Sequence, residues 1–66
     1  MSKKTIKQHR VLKGLSQESA ASEIGISREH LGRIESDLEL LRKTKIQTIL
    51  DLASLYECSV DEITFF

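Results

Sequence analysis

The sequence predicts an all-α fold of four to five short helices, with room for a short extended segment at its C-terminal end. Three observations lead there. Apolar residues recur at spacings of three and four along most of the chain, and the runs are preceded by Ser or Thr, the first two being followed by Gly14 and Gly25. No proline, internal repeat or low-complexity stretch divides it. At 66 residues a single domain spanning 1–66 is expected. A chain this short buries only roughly 60 % of the surface its unfolded form exposes, so the core is marginal and a partner subunit or ligand would strengthen it.

The first helix is predicted over residues 5–13 and stops at Gly14, which can take the left-handed conformation a helix end needs. Ser16 caps the second, over 17–24, its hydroxyl able to accept from a free N–H of the first turn. Ser27 does the same for the third, from 28 to about 36. Thr44 and Gln47 have capping-box spacing, which places a further helix over 45–56 with Ile46, Ile49, Leu50 and Ala53 as its apolar stripe. Ser59 opens a last short turn through Ile63, and the closing ITFF suits extended structure.

The zero net charge conceals a sorting. Residues 1–45 hold all ten Lys and Arg against six acids, whereas 46–66 hold four acids and no base. A polyanion meeting the first part would account for this, and so would an ordinary solvated surface. No apolar run approaches the 18 or so residues of a membrane span and no secretion signal is recognisable, so a cytoplasmic location is expected. Cys58, with only His9 and His30 as companions, fits no zinc spacing and reads as a structural thiol; neither metal nor cofactor is expected. An enzyme is disfavoured, because no nucleophile and base pair, metal set or phosphate-cradling glycine loop is present.

The stretch SQESAASEIGISREHLGRIE, residues 16–35, carries the functional signal. Two short helices joined by a tight turn cross at roughly 90–120°, and their backbones approach only over a small residue. Ala21, helped by Ala20, is that residue, and Gly25 takes the turn. Leu31 and Ile34 on the third helix then bury against Ala21 and Ile24, with Ile24 and Ile26 pointing inward. Arg28, Glu29, His30 and Arg33 remain on the polar face. A helix with one packed face, one solvent face and a free N-terminus suits the DNA major groove.

Residues 6–63 resemble the helix-turn-helix domain of the phage repressor and Cro (XRE) family. The resemblance lies at Ile6, Arg10, Gly14, Leu15, Ser16, Gln17, Ala21, Gly25, Ser27, Leu31, Ile34 and Glu35 in register, with LASLYECSVDEI at 52–63 similar to the family's closing helices. It implies a motif over about 17–36 and a DNA phosphate touched by Gln17, where the helix dipole already favours anions. It also implies that Ser27, Arg28, Glu29, His30 and Arg33 face the groove. Arg28 is the best base reader, since its guanidinium fork matches guanine O6 and N7. Glu29 could accept from a cytosine amino group, repel phosphate at wrong sites, or simply suit a helix N-terminus. The resemblance pairs Arg10 with Glu35 as scaffold, Arg10 lying near the DNA backbone as well, and makes His9, in a position usually aliphatic, a half-buried hydrogen-bonded residue.

The segment SDLELLRKTK departs from the family pattern, lacking the usual Gly and Pro and being about three residues longer. Either the third helix runs on or a second turn forms over 38–41. Arg42, Lys43 and Lys45 are placed to reach phosphates or a minor groove, and Leu38, Leu40 and Leu41 read as core packing. A transcriptional regulator, a repressor binding a palindromic double-stranded DNA site as a homodimer, is the leading expectation. The alternative is an antitoxin or other protein-binding module on the same fold. The apolar end, Ile63, Phe65 and Phe66, is expected to be too large to bury in one chain and to help pair two copies.

Overall fold

The computed structural model describes residues 3–65. Its order is α1 (Ile6–Leu12), α2 (Gln17–Ile24), α3 (Arg28–Ser36), α4 (Leu38–Lys43), α5 (Ile46–Leu55) and a 3-10 turn (Val60–Glu62). Among the described residues the extended structure is limited to one isolated parallel bridge, Lys4 with Ile63. The all-α expectation holds, with the extended structure allowed for at the C-terminal end reduced to that one bridge at Ile63.

Local chemistry sets the first three helices. Thr5 Oγ1 accepts from the Gln8 N–H at 3.1 Å while Gln8 Oε1 accepts from the Thr5 N–H at 2.8 Å, closing a capping box on α1. Ser16 and Ser27 accept from the N–H groups of Ser19 and His30, each at 3.0 Å. Gly14 and Gly25 end α1 and α2 at φ +71° and +77°. Nothing lies within 4 Å of the Cβ that either glycine lacks, so the requirement there is conformational and not steric.

The long connection folds as a fourth helix. Asp37 caps it, Oδ1 accepting from the N–H groups of Glu39 at 3.0 Å and Leu40 at 3.3 Å. The predicted capping box at Thr44 is not made. Thr44 ends α4, and its Oγ1 donates to the Leu40 carbonyl at 2.8 Å, while Gln47 turns along α5 to donate to Asp51 at 2.9 Å. With Thr44 committed backwards, α5 starts one residue later than predicted and has no side-chain cap.

The core consists of Ile6, Ala20, Ala21, Leu31, Ile34, Ile49, Leu52, Ala53, Tyr56 and Ile63. Ala20 and Ala21, both essentially without exposure, let α2 pack against α3 and α5 at once. Each fully buried leucine or isoleucine contributes about 1.5–3 kcal/mol. Two apolar expectations need correction. The buried stripe of α5 is Ile49, Leu52, Ala53 and Tyr56, leaving Ile46 and Leu50 at 66 % and 43 % exposure on the adjoining face. The apolar end splits as an end too large to bury whole would: Ile63 is buried beside its bridge to Lys4, Phe65 stays exposed, and Phe66 lies outside the described residues. Leu40 and Leu41 pack against the core, whereas Leu38, expected there too, is exposed on a groove that it lines with Phe65.

Candidate nucleic-acid interface

α3 presents two unlike sides. Leu31 and Ile34 are buried, three apart on one face. Arg28, Glu29, His30 and Arg33 are exposed, as is Ser27 at the cap, whose hydroxyl is already engaged by the His30 N–H. Glu29 in the first turn complements the helix dipole. Beyond α3, Arg42 and Lys43 close α4 and Lys45 precedes α5, all three exposed.

Charge pairing distinguishes two groups of bases. Among the described residues two ion pairs form, Arg10 with Glu35 and Lys13 with Glu57, each at 2.8–2.9 Å. Neither involves Arg28, Arg33, Arg42, Lys43 or Lys45. These five cations stand exposed with no ion-pair partner among the described residues, as do Lys3, Lys4 and Lys7 at the start of the chain, the condition under which a cation can neutralise an external phosphate without first breaking a bond.

The Arg10 and Glu35 pair is nearly buried, with side-chain exposures of 10 % and 3 %. Arg10 Nε donates to Glu35 Oε2 at 2.8 Å, Nη2 donates to Oε1 at 3.2 Å, and Nη1 donates to the Leu15 carbonyl at 2.8 Å. The guanidinium fork therefore ties α1 and the α1–α2 turn to the end of α3. Gln17 joins this group, which sequence reasoning missed. Its Nε2 donates to Glu35 Oε1 at 3.0 Å, so the half-buried Gln17 side chain lies across α3 from the first position of α2. The contact spans 18 residues and leaves no local signature.

Other polar residues serve the fold. His9 is half-buried with Nε2 at 2.9 Å from the Glu62 carbonyl. Burial first, then the Glu62 carboxylate, pushes the Cys58 thiol above its ordinary range, away from nucleophilic chemistry. The Glu62 carboxyl is lowered by hydrogen bonds from the Ser59 backbone and hydroxyl. Tyr56 is 2 % exposed, and its hydroxyl has no protein partner among the described residues. Burial foremost, with the Glu35 carboxylate adding to it, raises the phenol to about 12.

No helix among the described residues is long and apolar enough to cross a membrane. Neither a curated protein nor a solved structure matches the chain. A family model does: the helix-turn-helix model covers residues 6–63, the span that holds all five helices and both glycine turns. With the crossed pair α2 and α3, the small residues between them and the unpaired cations beside them, the chain belongs to the XRE (Cro/C1-type) helix-turn-helix family of DNA-binding regulators.

Proposed function

We propose that this protein is a cytoplasmic transcriptional repressor, acting through residues 1–66 as one domain and binding a palindromic operator as a homodimer. In this reading α3 enters the major groove. Arg28 reads a base edge, Glu29, His30, Arg33 and Ser27 line the groove, and Gln17, Arg42, Lys43 and Lys45 hold phosphates. The observation that carries it is the division of α3 into a face sealed by Leu31 and Ile34 and a polar face flanked by cations with no ion-pair partner among the described residues.

The test separates reading from gripping. Arg28→Ala weakens the best site by about 1–3 kcal/mol per half-site and relaxes preference at one base pair. Lys43→Ala weakens all sequences alike and flattens the salt dependence by about one unit. Binding curves on selected and scrambled duplexes at several salt concentrations read both effects. If Arg28→Ala lowers specific and random affinity equally with base preference intact, α3 does not read sequence through Arg28.

Pairing is supported by a largely apolar groove of about 310 Å³ between α4, α5 and the tail, lined by Leu38, Leu41, Ile46, Ile49, Val60 and Phe65, with Arg42 and Thr44 also on its wall. Two copies would set half-sites about 10 base pairs apart. Sedimentation at tens of micromolar tests this, and a species that stays monomeric with and without DNA refutes it. The same groove supports the second reading, an antitoxin, in which a different protein covers it and co-purifies in stoichiometric amount.

A further inference from the structure

α1 turns to solvent an apolar surface that the core does not use. Val11 and Leu12 are 59 % and 68 % exposed, Leu12 more than any other large apolar residue described. With Lys4, Lys7 and Gln8 they line a shallow depression of about 600 Å³. Both lysines are exposed, and neither belongs to an ion pair among the described residues. A patch that only gripped phosphate would gain nothing from Val11 and Leu12, whose contact with water is relieved by another apolar surface and not by a sugar-phosphate strand.

The complement lies on the same chain. Glu23 of α2 and Asp51 of α5 line a second depression, of about 380 Å³, together with Ser54 and the half-buried Ile24 and Leu55. Neither acid is in an ion pair among the described residues, and Asp51 accepts only from Gln47 of its own helix. The two depressions share no residue. Two bases beside two apolar side chains thus match two acids beside two apolar side chains. We infer that the α1 patch docks into the Glu23 and Asp51 depression of a second copy of this chain, Lys4 and Lys7 meeting the acids while Val11 and Leu12 cover Ile24 and Leu55. Because unlike patches meet, each contact leaves one of either kind free, and copies add in a row instead of closing on two. The contact is separate from the groove between α4, α5 and the tail, whose pairing would stop at a dimer, and it needs no DNA.

Sedimentation velocity of the full chain without DNA, at low salt and from about 10 μM to 1 mM, reads the contact. The parent forms species larger than a dimer that grow with concentration and disperse in about 0.5 M salt. Lys4→Glu with Lys7→Glu, and separately Glu23→Lys with Asp51→Lys, weaken the association about 10- to 30-fold by turning attraction into repulsion. The quadruple variant with both reversals regains it. That variant is neutral overall like the parent, so the control is Lys4→Glu and Lys7→Glu with Glu39→Lys and Asp61→Lys, equally neutral but with the acidic depression unchanged, and it stays weak. Leu12→Ser alters no charge and an exposed side chain, so it folds as the parent does, and it weakens the association about fivefold. A parent that stops at a monomer or dimer, a quadruple variant no stronger than either reversal, a control that regains the association, or a Leu12→Ser chain that associates like the parent would overturn the inference. So would lysine reversals that weaken binding to a short duplex with association intact, which would assign Lys4 and Lys7 to DNA. All of these outcomes leave the reading of α3 as the DNA-reading helix untouched.

Discussion

Replacing Glu35 by alanine removes the acceptor on which three donors converge, two from Arg10 and one from Gln17. The guanidinium, with 10 % side-chain exposure, keeps a single partner in the Leu15 carbonyl. Breaking one side of a buried ion pair costs about 3–5 kcal/mol, chiefly because a charge is left without compensation. A 66-residue domain has a total stability of roughly 3–10 kcal/mol at 0.05–0.15 kcal/mol per residue. Glu35→Ala thus consumes a third or more of it, and Arg10→Met is expected to cost a similar amount by stranding the carboxylate. The double variant Arg10→Met with Glu35→Leu behaves differently, since no charge remains to be stranded, and its loss is smaller than that of either single change. Urea titration followed by far-ultraviolet circular dichroism measures all three. With a slope of about 1 kcal/mol per molar, each single variant moves its midpoint down by about 3–5 M. Salt changes these losses little, because the pair is shielded from solvent. The exposed Lys13 and Glu57 pair, at 40 % and 65 % side-chain exposure, provides the contrast: Lys13→Ala costs at most about 1 kcal/mol. Single-variant losses below about 1 kcal/mol, or a double variant as unstable as their sum, would refute the view of Arg10 and Glu35 as the clasp of the fold.

Tyr56 is the chain's one tyrosine and there is no tryptophan, so phenolate absorbance reports on it alone. With the folded phenol raised to about 12 from 10.0, its contribution is fully present below pH 10 and is lost as pH climbs from 10 through 12, about 2–3 kcal/mol in all. The absorbance change should lag that of the urea-unfolded chain by about that interval; coincident titrations would contradict the burial. Tyr56→Phe removes a hydroxyl that has no protein partner among the described residues, and it is expected to raise stability at neutral pH by about 1 kcal/mol; a lower melting temperature would show that the hydroxyl does bond. Gly25→Val places a β-branched residue at φ +77° and should cost about 1–3 kcal/mol, with Gly25→Asn milder, as read from thermal melting. An unchanged melt in the valine variant would mean the turn is made elsewhere.

Helix ends in the first half were legible because their signals are local. Ser16, Ser27, Gly14 and Gly25 act within three or four residues of themselves, and each acts in the structure as its chemistry suggests. The same locality misled at Thr44, where capping-box spacing is present but the hydroxyl is taken by Leu40 from the preceding turn. Asp37 ahead of LELL is an equally good cap signal, and it favours the second turn over 38–41, which the structure extends into α4, over a third helix that runs on. In α5 the apolar residues are so dense that two overlapping stripes fit helical spacing, and only packing against α2 decides that Leu52 and Tyr56 go in while Ile46 and Leu50 stay out. The polar face of α3 could be read from periodicity. The link from Gln17 to Glu35 could not, since it depends on how two helices cross.

The bridge between Lys4 and Ile63 has a kinetic consequence. The Lys4 N–H donates to the Glu62 carbonyl and the Thr64 N–H returns to the Lys4 carbonyl, at 3.1 and 2.9 Å, while His9 reaches Glu62 across 53 residues of chain. Closing a loop of that size costs about 1–2 kcal/mol more in chain entropy than closing one of ten residues. Chain entropy alone therefore predicts that this contact forms after α2, α3 and α5 have condensed and opens before they part. Native-state hydrogen exchange should show the amides of Lys4 and Thr64 opening together, in a step that leaves the slow amides of α2 and α5 protected. The start and the tail of the fold would thus behave as one cooperative unit, in spite of lying at opposite ends of the sequence.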